Sequence, residues 1–200
     1  SGQLYVYVVT FMLGNAANGL LGACNNLVAP VVLLLVSIMN YGLPYYSNLF
    51  NKSGQLAVVG SMKKIFTALG VMVSFYLIAV TVFADHIFEF LNPAYLGNSR
   101  LVGILGIAVF FTFLFKPADI YFKVKLLPRI VFICRIITAF ISGVSVFLFI
   151  KLYGVYGAAL SYFVSQFVMC ILLYYFMFKD FNNVANVSEP QCAFNHGAQK

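Results

Sequence analysis

Residues 65–84 run for twenty positions without a single charged side chain, and uncharged apolar stretches recur at 101–115, 136–150 and 153–178. At about 1.5 Å of rise per residue, twenty helical residues cover roughly 30 Å, the thickness of a bilayer's hydrocarbon core. A segment of that length with no charge is read as a membrane-spanning helix. Four such segments in one chain leave little room for a water-soluble core.

The composition agrees: 62% of residues are hydrophobic and 8% are charged, with a mean hydropathy of +0.96, where soluble domains carry about 25% charged residues. The fold class expected is all-α, a polytopic transmembrane bundle of about six spans, near 4–13, 19–49, 65–84, 101–122, 130–150 and 157–178. The net charge of +7 would suggest nucleic acid in a soluble protein. Here most of the basic residues sit between spans, so they point to topology and to membrane lipids rather than to a nucleic-acid partner.

Alternate loops differ in basic content. Lys52, Lys63 and Lys64 fall in one loop, Lys123, Lys125 and Arg129 in another, and Lys179 and Lys200 in the tail, whereas the intervening loops hold none, Arg100 and Lys151. By the positive-inside rule the richer side faces the cytoplasm, which puts the C-terminus inside. The opening span is only about half a membrane thickness and has no signal-peptide pattern, so the chain is expected to begin within a helix of a longer protein. From 179 to 200 the sequence turns polar and Asn-rich without apolar periodicity, and a disordered cytoplasmic tail is expected.

Breakers separate the spans at Gly14 to Gly19, Asn51 to Gly54, Asn92 to Gly97, Leu127-Pro128 and Tyr153 to Gly157. Such short connections make antiparallel neighbours with no inserted soluble domain. Within residues 51–64, Leu56, Val59 and Met62 fit one face of a helix lying on the inner surface, though an ordinary loop extended by a helical turn fits as well. Gly103 and Gly106, Ser142 and Ser145, and the four-residue repeat Gly157, Ser161 and Ser165 are read as close helix contacts. Pro30, Pro44 and Pro117 are expected to interrupt their helices. Cys24, Cys134, Cys170 and Cys192 show no CxxC spacing and have only His86 and His196 as possible nitrogen ligands. Neither a metal site nor any cofactor is expected.

Charge at membrane depth costs about 2.5–3.5 kcal/mol on insertion scales, so Lys116, Asp119 and Arg135 draw attention. Lys116 and Asp119 lie three apart on one helical face. In an antiparallel pair Lys116 falls at nearly the depth of Arg135, roughly 9 Å from the basic edge, with Asp119 slightly shallower. Two readings stand. The cations snorkel or form a structural ion pair with Asp119, or they make a cationic patch facing a substrate cavity. Asn25, Asn26, Asn40 and Gln166 are weaker polar candidates inside the spans, each read first as an interhelical hydrogen bond.

The run Gly19-Leu-Leu-Gly-Ala-Cys-Asn-Asn-Leu-Val28, with the following span ending Leu43-Pro-Tyr-Tyr-Ser-Asn-Leu49, resembles the start of the C-terminal half of bacterial polysaccharide exporters, the lipid-linked O-antigen flippases. The Lys63-Lys64 span start, Phe90-Leu-Asn-Pro-Ala-Tyr95 and Lys151-Leu-Tyr-Gly-Val-Tyr-Gly-Ala-Ala159 fit in the same order, and the likeness covers residues 1–178. This resemblance implies one six-helix lobe of a two-lobe protein in the multidrug, oligosaccharidyl-lipid and polysaccharide exporter superfamily. A missing N-terminal six-helix lobe would then be its partner. The implied activity is flipping of an undecaprenyl-diphosphate-linked oligosaccharide across the bacterial inner membrane, a transport step and not an enzymatic reaction. Lys116, Arg135 and Asp119, with Asn25 and Asn26 where related sequences often carry a basic residue, are the implied substrate contacts. Alternatives are a drug or cation exporter of the same superfamily, an inert fragment, and a membrane glycan enzyme. The enzyme would have to draw on Asp85, His86 and Glu89, which a solvated span end also explains.

Overall fold

A computed structural model describes residues 2–91 and 97–195, with side chains described for 9–12, 14–90 and 97–181. Among these residues there are only helices: α1 (Gly2–Leu91), α2 (Ser99–Val124), α3 (Pro128–Tyr153) and α4 (Val155–Asn195). Four segments are long and apolar enough to cross a membrane: Gly14–Phe90 of α1, α2, α3 and Val155–Phe181 of α4.

Helix α1 is not one rod. Gly14 (φ 83°, ψ 177°) and Gly54 (φ 76°, ψ −175°) leave helical geometry and divide it into limbs of residues 2–13, 15–53 and 55–91. That backbone region is essentially confined to glycine, because a Cβ would clash with the preceding peptide. The break at Gly54 reverses the chain. The Tyr76 hydroxyl donates to the Leu27 carbonyl at 2.9 Å, although 49 residues of unbroken helix would hold the two about 74 Å apart.

The remaining directions follow from cross-helix contacts. Phe66 meets Phe113, with ring centroids 5.5 Å apart, while Gly103 and Gly106 face Thr81, so α2 runs antiparallel to the third limb. Arg135 faces Asp119 across the tight α2–α3 turn. Thr138 on α3 reaches the Met169 sulfur at 3.5 Å, which closes an antiparallel pair about Gly154 (φ 57°). Asn98 with Tyr156, Leu114 with Tyr174 and Tyr121 with Asp180 advance together, so α4 runs parallel to α2. The result is an up-and-down bundle. Lys52, Lys63, Lys64, Lys123, Lys125, Arg129 and Lys179 gather at one end, with Arg100 and Lys151 at the other.

The α2–α3 turn shows how local sequence sets the reversal. Leu127 N–H donates to the Phe122 carbonyl and Leu126 N–H to Lys123, while Leu126 takes φ 57°. This is the hydrogen-bond pattern of a Schellman stop. Pro128 then opens α3 at the first helical position, where its missing N–H costs nothing.

Among the described residues, three apolar clusters fill the bundle. One joins the second and third limbs to α2 through Val31, Tyr46, Phe66 and Phe113. A second, at the less basic end, gathers Leu21, Phe88, Leu101 and Ile150. The third packs α2, α3 and α4 at the basic end through Phe122, Cys134 and Leu173. Outward faces carry Phe75, Phe140 and Phe178 in the open. An apolar exterior of this kind suits hydrocarbon rather than water.

Several expectations differ from the structure. Residues 55–64 continue straight into 65–91 as one helix, and their inner face is Val58, Met62 and Phe66, while Leu56 is exposed. Of the expected Leu56, Val59 and Met62, Met62 is buried and Val59 packs partly buried against the cluster of α2, α3 and α4, while Leu56 turns outward. Pro30, Pro44 and Pro117 sit inside helices whose backbone stays helical around them, since in a membrane helix the groups a proline frees are re-satisfied by local adjustment. The backbone of α4 stays helical to Asn195, past Phe178, where disorder was expected to follow. Residues 196–200 lie outside the described residues.

Candidate functional site

The charged residues of the spans come together. Asp119 is completely buried, and its Oδ2 accepts a hydrogen bond from Lys123 Nζ at 3.1 Å, one helical turn away. The Arg135 guanidinium, from α3, stands 3.6 Å from the same oxygen and Lys116 Nζ 3.9 Å from it. Antiparallel packing of α2 on α3 brings these depths into register, which is why residues sixteen apart in sequence meet. A buried carboxylate is tolerated only with such compensation. Its other oxygen, Oδ1, is buried without a hydrogen-bond partner.

Lys116 and Arg135 also line a cavity of about 600 Å³ between α2, α3 and α4. Along α2 it extends from Leu105 to Lys116, roughly 16 Å. Its character changes with depth. At the end nearer the basic side it presents the two cations, with Lys116 Nζ 5.6 Å from the Phe115 ring centroid. Deeper, the wall carries Asn25, Thr112, Ser142, Tyr162 and Gln166. The Tyr162 hydroxyl stands beside the Thr112 and Gln166 side chains, a small polar group in a largely apolar wall. Ser165 also reaches the wall, but its hydroxyl donates to the Ser161 carbonyl of its own helix at 2.8 Å.

Of the residues singled out from sequence, Lys116, Arg135, Asn25 and Gln166 share this cavity, and Asp119 lies directly behind its charged end. Asn26 and Asn40 are exposed and do not line it. Lys123, taken from sequence as a loop cation, is the residue hydrogen-bonded to Asp119. Its spacing i, i+4 from Asp119 was the available signal. Thr112 and Tyr162 were missed, because hydroxyl residues in a span are common and only the parallel packing of α4 on α2 puts them opposite each other.

Other clusters hold less chemistry. His86 and Glu89 lie 4.0 Å apart with both side chains mostly exposed, and Asp85 is exposed beside them, as at a solvated helix end. An apolar groove of about 360 Å³ between the third limb and α2 is floored by Gly103 and Gly106. The Ser74 and Thr81 hydroxyls on its wall donate to their own helix. Among the described residues no three His, Cys, Asp or Glu side chains come together; the side chain of Cys192 lies outside them.

No family model, curated protein or solved structure matches the chain. The likeness to polysaccharide exporters therefore rests on the sequence passages that carry it.

Proposed function

We propose that this chain is one six-helix lobe of a multi-pass transporter that flips a lipid-linked oligosaccharide, joined to its polyprenyl carrier by a diphosphate, across the bacterial inner membrane. The observation that carries this reading is the graded cavity: two cations at one end and a run of hydroxyl and amide groups deeper in. A diphosphate favours the cations through charge-assisted hydrogen bonds, sugar hydroxyls favour Asn25, Thr112 and Gln166, and the polyprenyl tail stays in lipid. In this reading the three limbs of α1 and helices α2 to α4 are the six helices of the lobe. The basic end faces the cytoplasm, which puts the C-terminus there, and a second lobe faces the cavity from outside this chain.

Export of cationic drugs by a relative of the same superfamily is disfavoured by the same geometry. Its cavity would need open carboxylates, and Asp119 is buried and surrounded by three cations.

Export in a cell that depends on this protein tests the proposal. Lys116→Ala and Arg135→Ala are each expected to abolish surface polysaccharide at unchanged abundance in the membrane, and Arg135→Lys to retain part of it, because a point charge does not replace a bidentate fork. Normal polysaccharide in both alanine variants would reduce the two cations to snorkelling side chains. Loss of the protein itself in both would make them a structural ion pair with Asp119.

A further inference from the structure

Asp119 does something the proposed transport does not require of it. Three cations share its Oδ2, yet only Lys123 lies within hydrogen-bond distance, while Arg135 and Lys116 stand at 3.6 and 3.9 Å. Those two are the ones on the cavity wall; Asp119 and Lys123 are not on it. The carboxylate thus holds the cavity cations by charge without occupying their donors.

We infer that Asp119 is a resident counter-anion that sets the charge of the site, so that the cavity takes a ligand with two negative charges, a diphosphate diester, in preference to one with a single charge. This rests on the reading of the cavity as a site for a lipid-linked diphosphate. Three cations against one carboxylate leave a surplus of two positive charges. A diphosphate bridging a lipid and a sugar carries one negative charge on each phosphate and neutralises that surplus. A phosphodiester leaves one cation uncompensated in a low-dielectric wall, where an unpaired charge is costly.

Asp119 also competes with the ligand. Its Oδ2 attracts Arg135 toward α2, so an incoming diphosphate must draw the guanidinium against that attraction, and when the ligand departs the carboxylate is already in place to attract it back. Release is therefore eased at the expense of affinity. Asp119 is a positioning residue: it acts through Arg135 and Lys116 and does not itself touch the ligand.

The test is binding to the full chain in nanodiscs of zwitterionic phosphatidylcholine, with two synthetic probes, farnesyl diphosphate N-acetylglucosamine and the matching farnesyl phosphate N-acetylglucosamine. The unaltered chain is expected to prefer the diphosphate by about tenfold. Asp119→Asn removes the competing anion and is expected to bind both probes at least about fivefold tighter, with Asp119→Glu close to the unaltered chain. A structural role predicts the opposite, since a damaged site loses affinity. Equal or weaker binding by Asp119→Asn overturns the inference while leaving the transport reading intact. Failure of the unaltered chain to bind either probe overturns both. Displacement of the diphosphate by phosphatidylglycerol at equal mole fraction would assign the site to a singly charged lipid headgroup and also overturn the inference.

Should Asp119→Asn fail to accumulate, Lys123→Met gives an independent reading. With Lys123 gone the surplus falls to one charge and Oδ2 is free for Arg135, so diphosphate binding is expected to weaken at least about fivefold although Lys123 is not on the cavity wall. Unchanged binding would overturn the inference.

Discussion

At Gly157 an added Cβ would stand 1.9 Å from the Phe149 carbonyl oxygen and 2.9 Å from the Ile150 nitrogen, both of them backbone atoms that no rotamer change moves aside. Gly157→Ala is therefore expected to destabilise the protein by about 1–3 kcal/mol, the usual cost of overpacking. Thermal unfolding in detergent measures it, and an unchanged midpoint would mean that α3 and α4 pack less tightly than this. The four-residue spacing of Gly157, Ser161 and Ser165 showed in the sequence that this face packs closely, and Ser161 is fully buried. The spacing did not show that the contact is with the end of α3, because a repeat names a face and not its partner. The charges at the site were more legible. Lys116, Asp119 and Arg135 stood out because charge is costly in an apolar span, and antiparallel pairing fixed their relative depth. The hydroxyl of Tyr162 carried no comparable signal, since its value comes from Thr112 and Gln166 standing beside it.

Among the elements, α1 shows what local chemistry decides and what it leaves to packing. Gly54 makes the reversal between the second and third limbs, and no side chain crowds it: nothing lies within 4 Å of where its Cβ would be. Its substitution is thus a question of backbone alone. Gly54→Ala is expected to cost about 1–3 kcal/mol through φ 76°, ψ −175°, whereas Gly60→Ala, in helical backbone with the same open space, is expected to stabilise by about 0.5–1 kcal/mol. Equal effects at the two positions, read from the same unfolding midpoints, would remove Gly54 as the hinge. The break was legible as Asn-Lys-Ser-Gly between two apolar runs. The inner face of residues 55–64 was not, because apolar residues there fit two helical phases, and only packing against the second limb and α2 selects Val58 and Met62. Prolines misled in another way: Pro30, Pro44 and Pro117 each remove one backbone hydrogen bond, yet the backbone stays helical through them.

Taken as a whole, the described residues form a bundle with an apolar exterior, a basic end and a graded cavity. The crowding of Lys52, Lys63, Lys64, Lys123, Lys125 and Arg129 at a single end sets its expected orientation. Single cysteines at Ser53 and Leu127 are expected to be shielded from a membrane-impermeant thiol reagent in intact cells, and ones at Asn98 and Tyr153 to be labelled above the unaltered chain. The reverse pattern would invert the topology and overturn the family reading with it. The central claim is that the cavity between α2, α3 and α4 receives a lipid-linked diphosphate sugar, and photo-crosslinking tests it most directly. A farnesyl diphosphate sugar carrying a diazirine on the sugar, bound to the chain in nanodiscs and mapped by mass spectrometry, is expected to label Thr112, Tyr162 and Gln166 and to lose that labelling in Lys116→Ala. Labelling spread over outward residues such as Phe75 and Phe140, or labelling of the cavity that persists in Lys116→Ala, would contradict it.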